Sequence, residues 1–465
     1  MQLIFEISRI FLSSFLMALF MPIFWIVLFL VYLQYRRQVA TEEKLFGRTI
    51  NQVGRQILLS VGLGIIGGFA ASAILLFLGL SLEQIGLYFI WPVALLLLLF
   101  NPRYLCFSYA GGIVAAAVLV FRHILVIIMP GLAQYTVVAS LLRIHIPALL
   151  VLIGLLHLIE ALLIYIGGHW GSSPIYLKNE EGRVVGAFSL QRFWPIPLVA
   201  LLVSVVAQAE IVGVSMPEWW PILQSTIQPG VGQSLQYAAI PVAAGLGYAD
   251  MALSSTPRER SAFSAKWLAV YSTVLLIIAI GSAYTPWLIL PGVLFAPLGH
   301  EILILYGNKK EQKQRLRYEW VDAGVSLMMV LPGTAAQEAG LADDDLILKV
   351  NGHAVADCRD MMQKIEDSYF MVLLEGLRKN EPFSLILKKQ SREEAGIRDY
   401  QQTGMTVKSS SSLLHHCADL GLIPVPTPDS PVYLEIRKPD PLGRFRRMKS
   451  WIVSIFHKLF GGKQL

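Results

Sequence analysis

The sequence predicts a multi-span α-helical membrane domain, followed by a cytoplasmic α+β domain and an amphipathic C-terminal helix. The 465 residues have a mean hydropathy of +0.57 and only 15% of them are charged, whereas soluble domains carry about 25% charged residues. The apolar excess lies almost entirely in residues 1–307, which a basic linker follows at 308–317. A soluble pattern occupies residues 318–392, a linker or extension of that domain 393–443, and a basic amphipathic repeat 444–465.

Nine apolar segments in the first domain approach the length of about 20 residues that a membrane-spanning helix requires. These segments are residues 10–33, 57–80, 86–100, 104–121, 147–166, 195–213, 235–253, 267–284 and 286–306. A further apolar segment, residues 124–142, contains Met129-Pro130-Gly131 and is expected to be interfacial or re-entrant. We therefore expect about eight or nine spans. The first is too long for the apolar core of a cleaved signal peptide, so we expect it to be retained.

Lysine and arginine residues predict the orientation of these spans. They cluster in residues 35–56, 167–194 and 254–266 and after residue 306, whereas residues 81–87 and 214–234 contain none. Basic loops face the cytoplasm, so the domain after residue 306 is expected to be cytoplasmic on a multi-pass protein of the cell membrane. The net charge of +6 then indicates anionic lipid rather than nucleic acid. The three cysteines, Cys106, Cys358 and Cys417, form no Cys-x-x-Cys pair, as expected in a reducing compartment.

Several ionisable residues interrupt the apolar segments. They are His157, Glu160, Glu210, Asp250, His300 and Glu301. Charge inside a membrane is unfavourable, so each of these residues is a candidate functional residue. The alternative is structural: most of them pair with one another or lie near the end of a span.

These residues do not complete any catalytic motif. His300-Glu301 begins the His-Glu-x-x-His motif of membrane metalloproteases, but residue 304 is isoleucine, and His157 with Glu160 supplies only His-x-x-Glu. No Gly-x-Ser-x-Gly motif is present. We therefore predict no enzymatic activity, catalytic residue, metal site or cofactor. A site-2-like metalloprotease remains the first alternative, and a transporter that uses the buried acids as ion sites remains the second.

The soluble pattern contains Pro332-Gly333, Ala339-Gly340-Leu341, the apolar strand 346–350 and Asn351-Gly352, in that order. This order resembles bacterial PDZ domains of the HtrA type. The resemblance implies a groove that binds protein C-termini or internal peptides by adding them to a strand. It places Gly324, Val325, Ser326 and Leu327 in the carboxylate-binding loop and the strand that follows. It also places Met361, Met362 and Ile365 on the flanking helix, residues 357–368.

The sequence predicts further features of this region. A short helix is expected at residues 335–340, and the last strand of the domain at residues 383–387. Residues 432–436 are a candidate strand that returns to the domain. In an alternative arrangement, the chain's own tail occludes the groove, and the groove binds an internal segment.

The last 22 residues predict a helix on the membrane surface. Its apolar positions recur at spacings of 3, 4, 3 and 4, which is one face of a helix, and its other face is basic. The predicted contact residues are Arg444, Phe445, Arg446, Arg447, Met448, Lys449, Trp451, Ile452, Ile455, Phe456 and Leu459. Such a helix lies in the headgroup plane of anionic lipid. A helix that docks on a protein partner has a similar apolar face.

The order of membrane domain, PDZ-like module and amphipathic tail resembles the MinJ family of Firmicute division-site membrane proteins. Residues 157–168 and 186–192 carry a local likeness to that family's central span and the loop after it. The resemblance implies a membrane scaffold or adaptor that recruits cell-division site-selection proteins through its PDZ domain. It also implies a MinD-type ATPase and a DivIVA-like protein as partners, and enrichment at septa and cell poles.

Overall fold

The computed structural model describes residues 2–179, 181–208, 214, 216–223, 227–388 and 411–434. The helices are α1 Gln2–Phe20, α2 Pro22–Phe46, α3 Val53–Leu78, α4 Leu82–Ile85, α5 Leu87–Phe100, α6 Phe107–Val120, α7 Val126–Ile128, α8 Thr136–Leu142, α9 Ile146–Gly167, α10 Pro257–Tyr284, α11 Ile289–Lys313, α12 Ala335–Glu338, α13 Cys358–Glu366 and α14 Ser411–Leu420. The strands are β1 Ser173–Lys178, β2 Val184–Ala207, β3 Gln233–Ala252, β4 Val325–Val330, β5 Leu346–Val350, β6 His353–Ala354, β7 Met371–Arg378, β8 Glu381–Lys388 and β9 Leu422–Pro424. The chain therefore has a helical N-terminal part and a later, sheet-rich region.

Five helical segments among the described residues are long and apolar enough to cross a membrane. They are Val53–Leu78, Phe107–Ile128, Ile146–Gly167, Pro257–Tyr284 and Pro286–Lys313. Each coincides with a predicted span. The predicted span 10–33 is instead a pair of helices, α1 and α2, bent by 52° where Pro22 begins the second helix, because proline lacks the N–H that would continue the first. Counting this pair as one span gives six.

The predicted spans at 195–213 and 235–253 were wrong, and the total of eight or nine was too high for the described residues. Residues 184–207 and 233–252 form the antiparallel hairpin of β2 and β3 instead. Most of β2 is buried on both faces, so its sequence is a continuous apolar run that periodicity alone does not distinguish from a helix. Pro195 and Pro197 disfavour a helix there.

The hairpin lies against one face of α3. Gly64 and Gly68 lie one turn apart on that helix, and a Cβ atom on either would collide with the backbone carbonyl of Pro195 or Pro197. One turn later, the Ser72 hydroxyl accepts a hydrogen bond of 2.9 Å from the backbone N–H of Val199. Small residues on α3 therefore allow a strand to pack directly on the helix backbone.

The second sheet has the strand order β8-β7-β5-β4-β9, with β6 paired to β5. Its strands β4, β5 and β8 and its helices α12 and α13 lie where the sequence predicted strands and helices. Asp344, in the turn before β5, has a φ of +68°, a value that favours glycine. Below the sheet lies a core that contains Leu327, Ile347 and Met361.

Part of the segment predicted as a linker or an extension of the domain is folded. Residues 411–424 form α14 and β9, and β9 is an edge strand of the second sheet. The candidate strand at 432–436 does not return to this sheet within the described residues, since Leu434 bridges Leu177 of β1 instead. Short elements of this kind depend on distant partners, so a local pattern does not identify them.

Candidate peptide-binding site

The edge of β4 is the site that the sequence predicted for peptide binding. Gly324 precedes the strand with a φ of +87°, and the side chains of Val325 and Leu327 point into the core. The backbone N–H of Gly324 donates to Val355 O at 3.1 Å, and that of Leu327 to Asp345 O at 2.9 Å. Both N–H groups are used within the domain, so neither is available to hold a peptide carboxylate in this arrangement.

The chain's own strand β9 pairs with this edge of β4. The pairing is antiparallel, with Val330 opposite Leu422 and Leu327 opposite Pro424. The backbone N–H of Val425 donates to Ser326 O at 2.8 Å, and that of Leu331 donates to Gly421 O, also at 2.8 Å. Residues 421–425 therefore pair with the strand edge to which the PDZ resemblance assigned a bound peptide.

Helix α13 forms the other wall of the site. Met361, Met362 and Ile365 are at most 4% exposed and belong to the same core as Cys417 and Leu422. These three side chains are therefore core residues of the domain.

The helix before β9 packs on α13. The Sγ atoms of Cys358 and Cys417 are 2.8 Å apart, and both thiols are free. The hydrogen bond to Cys358 and burial raise the pKa of the Cys417 thiol well above its ordinary value. Gly421 then turns the chain from α14 into β9 with a φ of +91°, where a Cβ atom would collide with the Thr334 side chain.

The segment 411–434 also contacts the helical part and the first sheet. The side chains of Ile423 and Val425 belong to the core of that larger region, on the opposite side from Leu422. The Tyr176 hydroxyl donates to Pro424 O at 2.6 Å, and Arg48 donates to Ala418 O at 2.9 Å. The segment therefore joins the second sheet to the rest of the chain. Its first part has a signal in the sequence, the apolar spacing of residues 413–423.

Two of the predicted intramembrane polar residues are ion-paired. Asp250 accepts a hydrogen bond of 2.8 Å from Arg260, which is 4% exposed and lies 3.6 Å from Glu311. Glu301 pairs with Arg103 and accepts a hydrogen bond of 2.6 Å from the Tyr109 hydroxyl. Both acids therefore pair with arginines outside the predicted set. Neither Arg260 nor Arg103 was predicted from the sequence as a partner of these acids.

The remaining predicted residues divide into two groups. His157 and His300 come together, with ring centroids 5.1 Å apart, and Glu160 lies one turn from His157 on α9. Glu210 and the whole predicted surface helix, residues 444–465, lie outside the described residues.

These elements define a class: a protein with several helices of membrane-spanning length and a later, sheet-rich region in which the chain occupies its own strand edge. The chain is 24% identical over 356 residues to the "Cell division topological determinant MinJ" of Bacillus subtilis (strain 168), which covers 76% of this chain and 85% of that protein.

Two further relatives are named "Probable cell division topological determinant MinJ", from Lacticaseibacillus paracasei and Lacticaseibacillus casei (strain BD-II). Each is 26% identical over 227 residues, which is 48% of this chain and 56% of the relative. No family model matches the chain. The similarities support a MinJ-like protein and a role at the division site.

Proposed function

We propose that this chain is a multi-pass scaffold of the cell membrane that recruits cell-division site-selection proteins through a cytoplasmic, PDZ-type domain. The observation that carries the proposal is its similarity to a division-site determinant over 76% of its length. Five helices of spanning length support the membrane location. The basic residues at the end of the last of these helices and directly after it support the cytoplasmic side for the second sheet.

The proposed partners are a MinD-type ATPase and a DivIVA-like protein, with anionic lipid bound by residues 444–465. Strand addition on β4 is the proposed mode of recruitment. The pairing of β9 supports this mode, because it shows that the edge accepts an extended apolar segment. Since the N–H groups of Gly324 and Leu327 are used internally, we propose an internal segment of a partner, rather than a free C-terminus, as the ligand.

The proposed role is not enzymatic. In the metalloprotease alternative Glu301 is the general base, and a base must reach a water molecule bound to the metal. Here Glu301 is held by Arg103 and Tyr109. A scaffold should therefore tolerate Glu301→Gln in cells, whereas a protease or a proton-coupled transporter should lose its activity.

The test is the position of a fluorescent fusion in dividing cells, together with the length of cells that lack the gene. A division scaffold is enriched at septa and poles, and its loss produces filaments or minicells. A uniform membrane signal with normal cell length would contradict the proposal. The Glu301→Gln variant should localise like the wild type and restore normal length.

A further inference from the structure

Three side chains that ligate metals converge from three separate helices. Cys106 is the N-cap of α6, His157 lies in the middle of α9, and His300 lies in α11. Cys106 Sγ is 3.1 Å from His157 Nε2. One ligand atom from each residue lies within 4.8 Å of the other two, so a single ion between them contacts all three after small rotamer adjustments.

The hydrogen bonding of His157 prepares its ring as a ligand. Its Nδ1 atom is 2.7 Å from the carbonyl oxygen of Ile153. Because a carbonyl oxygen only accepts hydrogen bonds, Nδ1 must carry the proton, and the lone pair of the neutral ring is then on Nε2. That lone pair faces Cys106. Metal-binding histidines are commonly oriented by a backbone carbonyl in this way, and His157 is only 2% exposed.

His300 has a buried ring nitrogen that is unsatisfied. Its Nδ1 atom is buried and has no hydrogen-bond partner among the described residues. Buried polar atoms without a partner are uncommon. The adjacent acid, Glu301, does not satisfy this atom, because it pairs with Arg103 and Tyr109.

The surroundings of the cluster are aromatic. The ring centroids of Tyr109 and Tyr271 are 5.3 Å and 5.6 Å from that of His300, and Tyr271 is 5.8 Å from His157. A thiolate and two neutral imidazoles form a borderline-soft donor set that suits zinc and does not suit magnesium or calcium.

We propose that Cys106, His157 and His300 bind one Zn²⁺ ion that ties α6, α9 and α11 together. On binding, the Cys106 thiol loses its proton to solvent and its sulfur forms the Zn–S bond, while the two rings stay neutral. The three ligands leave one tetrahedral position for a water molecule. The proposal does not depend on the scaffold function, because it concerns only the helical part.

The first test is the zinc content of the full-length protein, purified in mild detergent and dialysed against sub-micromolar Zn²⁺. Elemental analysis should find about one zinc ion per chain. Cys106→Ser, His157→Gln and His300→Gln should each lower zinc affinity by about 10-fold or more. His123→Gln is the matched control, since His123 is exposed beyond the C-terminal end of α6 and is not part of the cluster.

The second test keeps the proposal falsifiable if a variant fails to fold. Cobalt loaded into the wild-type protein should give a thiolate-to-cobalt charge-transfer band that Cys106→Ser abolishes, and a chelator should lower the Tm of the wild type. Zinc well below one per chain, or equal zinc in the control and in all three folded variants, overturns the proposal. A wild type that gives neither the band nor a Tm shift with chelator also overturns it.

Discussion

Replacing Leu422 by alanine should open the β4 edge to an added peptide. Leu422 is fully buried and belongs to the core beneath the second sheet, while its backbone pairs with Val330 of β4. Truncating a buried leucine to alanine costs about 2–5 kcal/mol. If about 3 kcal/mol of this is lost from docking of β9, the apparent affinity for a competing peptide rises by up to about 100-fold, since each 1.4 kcal/mol is a factor of ten. The gain in apparent peptide affinity reaches its limit when β9 is undocked from β4 in most molecules.

The assay uses a labelled peptide with the wild-type sequence of residues 420–427, added to the full-length protein in detergent or nanodiscs. Fluorescence anisotropy measures binding, which should be weak for the wild type and tighter for the Leu422→Ala variant. Alkylation of Cys417, followed at that residue by mass spectrometry, reports release of the segment independently. The Cys417 thiol is buried, and its hydrogen bond to Cys358 and burial raise its pKa well above the ordinary value. It should therefore react slowly until the segment leaves.

Leu387→Ala is the matched control. Leu387 is equally buried in the same core but lies on β8, away from the β4–β9 pairing. It should lower the stability of the domain by a similar amount without favouring peptide binding. Equal peptide affinity for the wild type and Leu422→Ala, or an equal gain in Leu387→Ala, would refute the idea that β9 occupies an exchangeable binding edge.

Three other predictions follow from ion pairs and from the tail. Arg260→Ala removes the cation that pairs with the buried Glu311 and the partly buried Asp250 and should cost about 3–5 kcal/mol of stability. The Tm in detergent measures this loss, and Arg9→Ala, at an exposed pair, should leave the Tm unchanged. Hydrogen bonds from Lys364 and from a backbone N–H lower the pKa of Asp360. The contribution of Asp360 to the stability of the fold is therefore present at neutral pH, and it is lost as the pH falls below about 4 and through the lowered pKa. Asp360→Asn should remove this acid dependence from the unfolding of the second sheet; an unchanged pH profile counts against the assignment. Ile452→Glu should reduce binding of the full chain to anionic vesicles by about 10-fold and spare its fold, and equal binding would argue for a protein-docking tail.

The local sequence was sufficient to predict those helices and strands whose hydropathy pattern and turn residues lie within or next to the element itself. Helices α3, α9, α10 and α11 were predicted because their apolar runs are long and continuous. Strand β5 and helix α13 were predicted because turn residues bound them and their apolar faces have the right period. In each case the hydrogen bonds or the apolar face are determined by residues close together in the chain.

Tertiary structure decided the features that depend on a distant partner. Strand β2 is an apolar run that becomes a strand because β3 satisfies its backbone and small residues on α3 admit it. The three-residue strand β9 exists because β4, far away in the chain, supplies its hydrogen bonds. Cys106, His157 and His300 meet because three helices pack together, which no spacing along the chain encodes. Sequence patterns report local periodicity and hydropathy, whereas these features depend on pairing between segments that are remote in sequence.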